Sequence, residues 1–364
     1  MNSGQVVISR FNRVLGGVLI AIMVSSCGNV FATPQTTTTS TVAPPVEPPK
    51  WGVPNDLKPL FFYASDVPQQ ARDRIEETTL KATQYWPNYG PLEVWVTGIK
   101  TAPIVEMINE YCTRRVELQQ MNKFACLDEN RDGTFEEFRK WSAISENSGE
   151  NYVQGVASNT EKYGFHQIVL SYPFGFTNEH PELVAKYQQL IFHEYFHIIQ
   201  AAAIPSTADT ANIPVVRKRL MGPRWFSEGT AEFMSLLAVD ELRRKGELPV
   251  YEGSLDDYSF TNEMLENLDG AKESLSKNKN VTLADAEQRV EEISPYDVGP
   301  WAIAYLVSKS NPNVLLDVVY PNIAQLGWAK TFQLAFGMGP AQFEEEFMRF
   351  MKLSTTKQQT LLKN

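Results

Sequence analysis

His193, Glu194 and His197 lie within LIFHEYFHIIQ, residues 190–200, where half of the chain's four histidines are found. On a helix, residues four apart share a face, so both imidazoles can point at one metal ion. Glu194 lies about 100° further around the helix. It cannot easily join the ligands, but it can reach a water beside the ion. The flanks Leu190, Ile191, Phe192, Ile198 and Ile199 are apolar, and a buried helix carries polar groups at a cost unless something satisfies them. A metal ion would do so, in the His-Glu-x-x-His arrangement of zinc peptidases. The plain alternative is a pair of hydrogen-bonded core histidines. A catalytic zinc keeps three protein ligands and one open position. The stretch PRWFSEGTAEFMSLL, residues 223–237, supplies Glu228 as the third ligand. Glu232, one helical turn on, would accept a hydrogen bond from the free ring nitrogen of a ligand histidine and so fix its tautomer. The alternative is a solvated acidic face, against which Trp225, Phe226, Phe233 and Leu236 argue.

HEYFH followed by WFSEGTAEF resembles the gluzincin metallopeptidases, the group containing thermolysin and the aminopeptidase N family. There a second helix bears the metal-binding glutamate within a Glu-Gly-x-Ala pattern like Glu228 to Ala231. SPYDVGPWAIAYL, residues 294–306, resembles the aminopeptidase N segment in which a tyrosine three residues before a glycine steadies the tetrahedral intermediate. That likeness assigns the role to Tyr296, with Gly299 as the matching glycine; the alternative is a tyrosine that opens a core helix beside Pro295. FQLAFGMGPAQFEEEFMRFM, residues 332–351, is similar to the helical tail of related peptidase-like domains. The resemblance covers residues 190 to about 350, and the N-terminal half carries no matching motif. It implies hydrolysis of peptide bonds in a peptide or protein substrate with one zinc per chain. On that reading the ion would supply an acidified water, Glu194 would take its proton and return it to the leaving amine, and Tyr296 would donate to the oxyanion. Three departures limit it. IVLSYPFGF, residues 168–176, lacks the Gly-x-Met-Glu-Asn stretch that binds a free amine, so aminopeptidase specificity is not implied. Thirty residues separate His197 from Glu228, a long excursion. Gln200 and Ala203 stand where a metzincin would have Gly and His. Two other classes remain open: a peptidase-like lipoprotein that binds without cutting, and a zinc hydrolase of cell-envelope amides.

A second ion site is suggested by DENRDGTFEEF, residues 128–138. Asp128, Asn130 and Asp132 alternate before Gly133, as calcium loops begin, and Glu137 could close a shortened loop. A solvated acidic turn is the alternative.

The elements that must hold these residues follow from pattern. Strands are predicted at 61–66, 91–99 and within 164–174, and helices at 68–86, 102–123 and 181–203. After Ala203 the sequence reads as helices at 225–245, 283–292, 297–309, 313–318, 328–335 and 340–353. The expected class is α+β: a zincin-type small mixed sheet with backing helices and the active-site helix over 51–203, then a mainly helical lobe over 204–364, with a cleft between them.

The N-terminus reads as an address. Arg10 and Arg13 precede the apolar run VLGGVLIAIMV, residues 14–24, and then Cys27. A run this short behind basic residues is a secretion signal, and VSSC resembles a bacterial lipobox. Residues 1–26 would be removed and Cys27 lipidated, tethering the protein to a membrane of the cell envelope, outside the cytoplasm. An ordinary signal peptide or an uncleaved anchor is the alternative. Residues 27–50, rich in Thr and Pro, form an extended tether. Export permits a disulfide between Cys112 and Cys126; two buried thiols are the other possibility. The net charge of −10 provides no basic footprint for nucleic acid.

Overall fold

Strand β2 (Leu92–Val96) is buried along its whole length and lies second in a four-stranded sheet of the computed structural model. The structure describes residues 50–148, 154–160, 164–177, 180–204, 219–251, 258–278, 281–287, 289, 292–311 and 313–363. The signal segment, Cys27 and the tether up to residue 49 lie outside these residues. The sheet order is β1-β2-β4-β3, with β1 at Leu60–Tyr63, β3 at Gly155–Thr160 and β4 at Phe165–Leu170. β1 and β4 run parallel to β2, and β3 runs antiparallel to β4, so the sheet is mixed. The class is α+β, with a small sheet and predominant helix. Among the described residues, no helix is long and apolar enough to cross a membrane.

The pleat of β2 sorts its neighbours into two layers. Glu93 and Trp95 face helix α2 (Thr101–Glu117) and helix α4 (Thr134–Ser148). Trp95 packs edge-on against Tyr111 and Phe135. Glu93 is 2% exposed and accepts from Arg114 Nε at 2.7 Å, Arg115 Nη2 at 2.6 Å and Trp95 Nε1 at 3.0 Å. The fully buried Arg115 guanidinium lies 4.9 Å from the Tyr111 ring centre and 4.2 Å from that of Phe165. A buried pair of this kind adds little net stability, because both ions lose their hydration on burial.

The opposite face, Leu92, Val94 and Val96, continues through Leu170 to Gly155 by register and looks onto helix α5 (Val184–Ala202). Helix α1 (Gln69–Tyr85) and the following Trp86 back α5, with Trp86 against Phe192, Tyr195 and Phe196. Trp51 stacks on His166 and donates to the Ile204 carbonyl at 2.9 Å, strapping the start of the fold to the end of α5. Burial pushes the His166 imidazole down to about 3, so it stays neutral.

The remaining helices that bear on the site are α6 (Arg224–Arg244), α7 (Phe260–Lys277) and α8 (Pro295–Val307). α6 crosses α5, α8 crosses α6, and α7 lies against α8, where Trp301 Nε1 donates to the Met264 carbonyl at 2.6 Å. Aromatic residues of the C-terminal helices, Phe332, Phe343, Phe347 and Phe350, fill the space behind Trp225, Trp301 and Tyr305. The described parts of 51–203 and 204–364 belong to one compact unit.

Several expectations change. Strand β3 has no counterpart among the expected strands, and of the helix expected over 283–292 the described residues hold a 3-10 turn at Leu283–Glu287. The helix expected over 102–123 breaks after Glu117: Gln119 takes a positive φ of 56°, and Asn122 caps a new helix, α3 (Lys123–Asn130), by accepting from Phe124 N and Ala125 N. Cys112 of α2 and Cys126 of α3 are joined by a disulfide. The stretch 128–138 is not an open calcium loop. Helix α3 runs through Asn130 and α4 begins at Thr134, so Asp128 and Asn130 are wound into helix and Asp132 sits in the three-residue turn between the two. The Asn130 amide donates back to the Cys126 carbonyl, Asp128 pairs with Arg131, and Asp132 pairs with Lys140. Glu137 falls in the first turn of α4, and Asp128, Asp132 and Glu137 do not converge as ligands. Finally, α7 has no counterpart among the expected helices, because Met264, Leu268 and Ala271 are its only buried apolar residues.

Candidate metal centre and active site

α5 is buried on nearly every side, which fixes the rotation of its polar residues. His193 and Glu194 are 1% and 2% exposed. α6 brings Glu228, also 2% exposed, across them. Among the described residues, His193, His197 and Glu228 are the only group of three or more His, Cys, Asp or Glu close enough to share an ion.

The tautomers follow from the outer contacts. His193 Nδ1 is 2.9 Å from Glu232 Oε2, and His197 Nδ1 is 2.8 Å from Gln200 Oε1. Both partners are acceptors, so each Nδ1 carries the hydrogen and each Nε2 presents a lone pair. These two lone pairs and the Glu228 carboxylate then meet. Nε2 to Nε2 is 3.2 Å, His197 Nε2 to Glu228 Oε2 is 3.2 Å, and His193 Nε2 to Glu228 Oε2 is 3.6 Å. Three acceptor atoms converge here, two on buried residues and one on the half-buried His197. A proton could bridge one contact; a cation serves all three. A circle through the three atoms has a radius of about 1.9 Å, so an ion slightly off their plane would sit about 2.0–2.1 Å from each, as zinc does from imidazole and carboxylate. Calcium needs about 2.3–2.6 Å and prefers oxygen. The residues fit zinc.

Glu194 points to the sheet side of the site. A methyl group built on Gly155 of β3 would lie 2.7 Å from Glu194 Cγ and 2.8 Å from its Oε1. The edge strand thus needs a glycine here to let the carboxylate through.

Tyr296 is the second residue of α8. Ser294 caps this helix by accepting from Asp297 N, and Pro295 occupies its first turn. The Tyr296 ring centre is 6.2 Å from that of His193, and its hydroxyl accepts from Arg224 Nη2 at 3.4 Å. What brings α8 so near is a contact of two glycines. A methyl on Gly229 would lie 2.5 Å from the carbonyl carbon of Gly299, and one on Gly299 would lie 2.7 Å from Gly229 Cα. The next residue, Asp297, has its carboxylate against Gly270 of α7. Burial pushes its pKa up to about 6, with the Glu232 and Glu273 charges adding and the Ser294 hydrogen bond opposing.

That shift has a pH signature. The folded state holds the Asp297 proton more tightly than the unfolded chain, so this residue's stabilising contribution is present at low pH and lost as pH rises through about 4 to 6. In metal-free protein, Asp297→Asn should therefore be more stable than wild type at pH 8, by on the order of 2 kcal/mol, and the gain should vanish near pH 4. Thermal melts at the two pH values check this; an equal gain at both would mean that ionisation is not the cause.

His193, Glu194, His197, Glu228, Glu232 and Tyr296 are all brought together. Four contributors escaped the sequence reading. Gln200 lies three residues after His197, a helical spacing that could have marked it, and Arg224 lies four before Glu228 on the same face. Gly155 and Tyr320, the latter 3.2 Å from Gln200 Nε2, come from distant segments with no local signal. Comparison with protein-family models, with curated proteins and with solved structures gives no match.

Proposed function

We propose that this chain is a zinc metallopeptidase of gluzincin type, with a zincin-type sheet and active-site helix, hydrolysing peptide bonds in peptide or protein substrates. We also propose that Cys27 carries a lipid, which would tether the enzyme to a membrane of the bacterial cell envelope, facing out of the cytoplasm. The observation that carries the enzymatic reading is the convergence of two histidine ring nitrogens and a buried carboxylate at mutual distances of 3.2–3.6 Å, with Glu194 following His193 in the same helix. Zinc held by His193, His197 and Glu228 would supply a Lewis acid and a water acidified toward neutrality. Glu194 accepts the water's proton and passes it to the departing amine. Tyr296 Oη donates to the oxygen on which negative charge grows, and Arg224 steers that hydroxyl. Glu232 and Gln200 keep both Nδ1 positions protonated, so that both Nε2 atoms remain ligands.

The test combines metal analysis with digestion of a proteome-derived peptide library read by mass spectrometry. The purified protein should hold one zinc per chain and cleave peptides. Glu228→Ala should lose the metal and all cleavage while keeping its fold by circular dichroism. A Glu228→Ala protein that is fully loaded with zinc would sink the ligand assignment, and a zinc-loaded wild type that cleaves no peptide would sink the peptidase reading.

A further inference from the structure

Gln200 is 3% exposed and uses both ends of its amide. Its oxygen accepts from His197 Nδ1 at 2.8 Å. Its nitrogen donates to the Ser227 carbonyl at 2.9 Å and to Thr230 Oγ1 at 2.7 Å, with the Tyr320 hydroxyl at 3.2 Å. Tyr320 in turn donates to Thr230 Oγ1 at 3.0 Å. The partners are buried too: Thr230 is 0% exposed, Ser227 3% and Tyr320 7%. Ser227 immediately precedes Glu228. One side chain thus touches the ring of one ligand and the backbone beside another, across the contact between α5 and α6.

The two histidines are held differently. His193 has a carboxylate behind it, and His197 has an amide. For orienting a ring alone a carboxylate would serve at least as well, since it accepts the Nδ1 hydrogen and raises the basicity of Nε2. A carboxylate at position 200 could not, however, donate to Ser227 O and Thr230 Oγ1; it would set two acceptors against each other in a buried space. The amide is the group that meets both demands.

The geometry points to Gln200 as a positioning residue that builds the metal site before any metal arrives. Its oxygen end holds His197 in the Nδ1–H tautomer, with Nε2 turned toward His193 and Glu228. Its nitrogen end ties α6 at Ser227 to α5 and so sets the distance from His197 to Glu228. Tyr320 and Thr230 brace the amide in that orientation. This inference rests on the metal-centre reading above.

The experiment compares wild type with Gln200→Glu and Gln200→Leu at pH 8 by two measurements. One is zinc affinity by competition with a chromophoric chelator. The other is the ring-nitrogen NMR pattern of metal-free protein labelled at histidine, which is simple because there are four histidines. Wild-type His197 should show a single Nδ1–H tautomer without metal. Gln200→Leu should show a mixture and bind zinc about 10-fold to 100-fold more weakly. Gln200→Glu should keep the tautomer yet still bind about 10-fold more weakly, because the tie to Ser227 is lost. Should Gln200→Leu not fold, the near-isosteric Gln200→Glu decides. Zinc binding by Gln200→Glu as tight as wild type or tighter overturns the tie between helices, and a mixed tautomer in wild type overturns the hold on His197. A wild type that takes up no zinc would sink the metal centre itself, while the NMR pattern would still judge the hold on His197.

Discussion

Glu194→Gln is expected to keep its full zinc content and to lose turnover by about 100-fold to 10,000-fold, the range for removing a general acid–base group. The amide has nearly the shape of the carboxylate, so it fits under Gly155, where Glu194 is 2% exposed and closely packed. It cannot take a proton. The substrate still binds, so the Michaelis constant should move little while the turnover number falls. The check is metal analysis beside steady-state kinetics on a peptide found in the library digest. Turnover within a few-fold of wild type would remove Glu194 from the proton transfer. Loss of zinc along with activity would instead make it a ligand.

Tyr296→Phe should retain zinc and fold but lower the turnover number by about 100-fold to 1,000-fold, the usual cost of one oxyanion donor. The metal cannot provide a directed hydrogen-bond donor, and the two other histidines are elsewhere. His166 is stacked under Trp51, and His180 pairs with Glu182 at 3.1 Å. Tyrosine donates without carrying a charge. Arginine can only donate, so the phenol oxygen accepts from Arg224, and the contact leaves the phenol's own hydrogen to be donated elsewhere, as the proposed oxyanion contact requires. The Michaelis constant should again change little, because the contact forms in the transition state. A Tyr296→Phe enzyme with near wild-type turnover would reduce this side chain to the opening residue of α8.

The site was more legible in the sequence than the fold around it. His193, Glu194, His197, Glu228 and Glu232 occur in two short helical stretches; helical spacing alone puts His193 with His197 and Glu228 with Glu232 on one face, with Glu194 about 100° around from the histidines. Tyr296 needed the additional likeness of SPYDVG to a known segment, since its proximity depends on a crossing of α6 and α8 that no local pattern reveals. Strand β3 was missed because GVASNT has one branched apolar residue and little alternation. The stretch 128–138 was misread because acid spacing looks the same in an open loop and at the end of a helix; the Asn122 cap, six residues upstream of Asp128, decides between them. Cysteine count permitted the Cys112 to Cys126 bridge but could not choose it, because that depends on α2 and α3 folding back on each other.

The contact between Gly229 and Gly299 governs how this site can move. With no side chain between them, the backbones of α6 and α8 touch directly, and neither helix can slide or roll without collision. Glu228, one residue from Gly229, and Tyr296, one turn from Gly299, are thereby held at a separation set by backbone contact. The histidines travel with α5. A metal ion liganded from both helices would act as a bolt between α5 and α6.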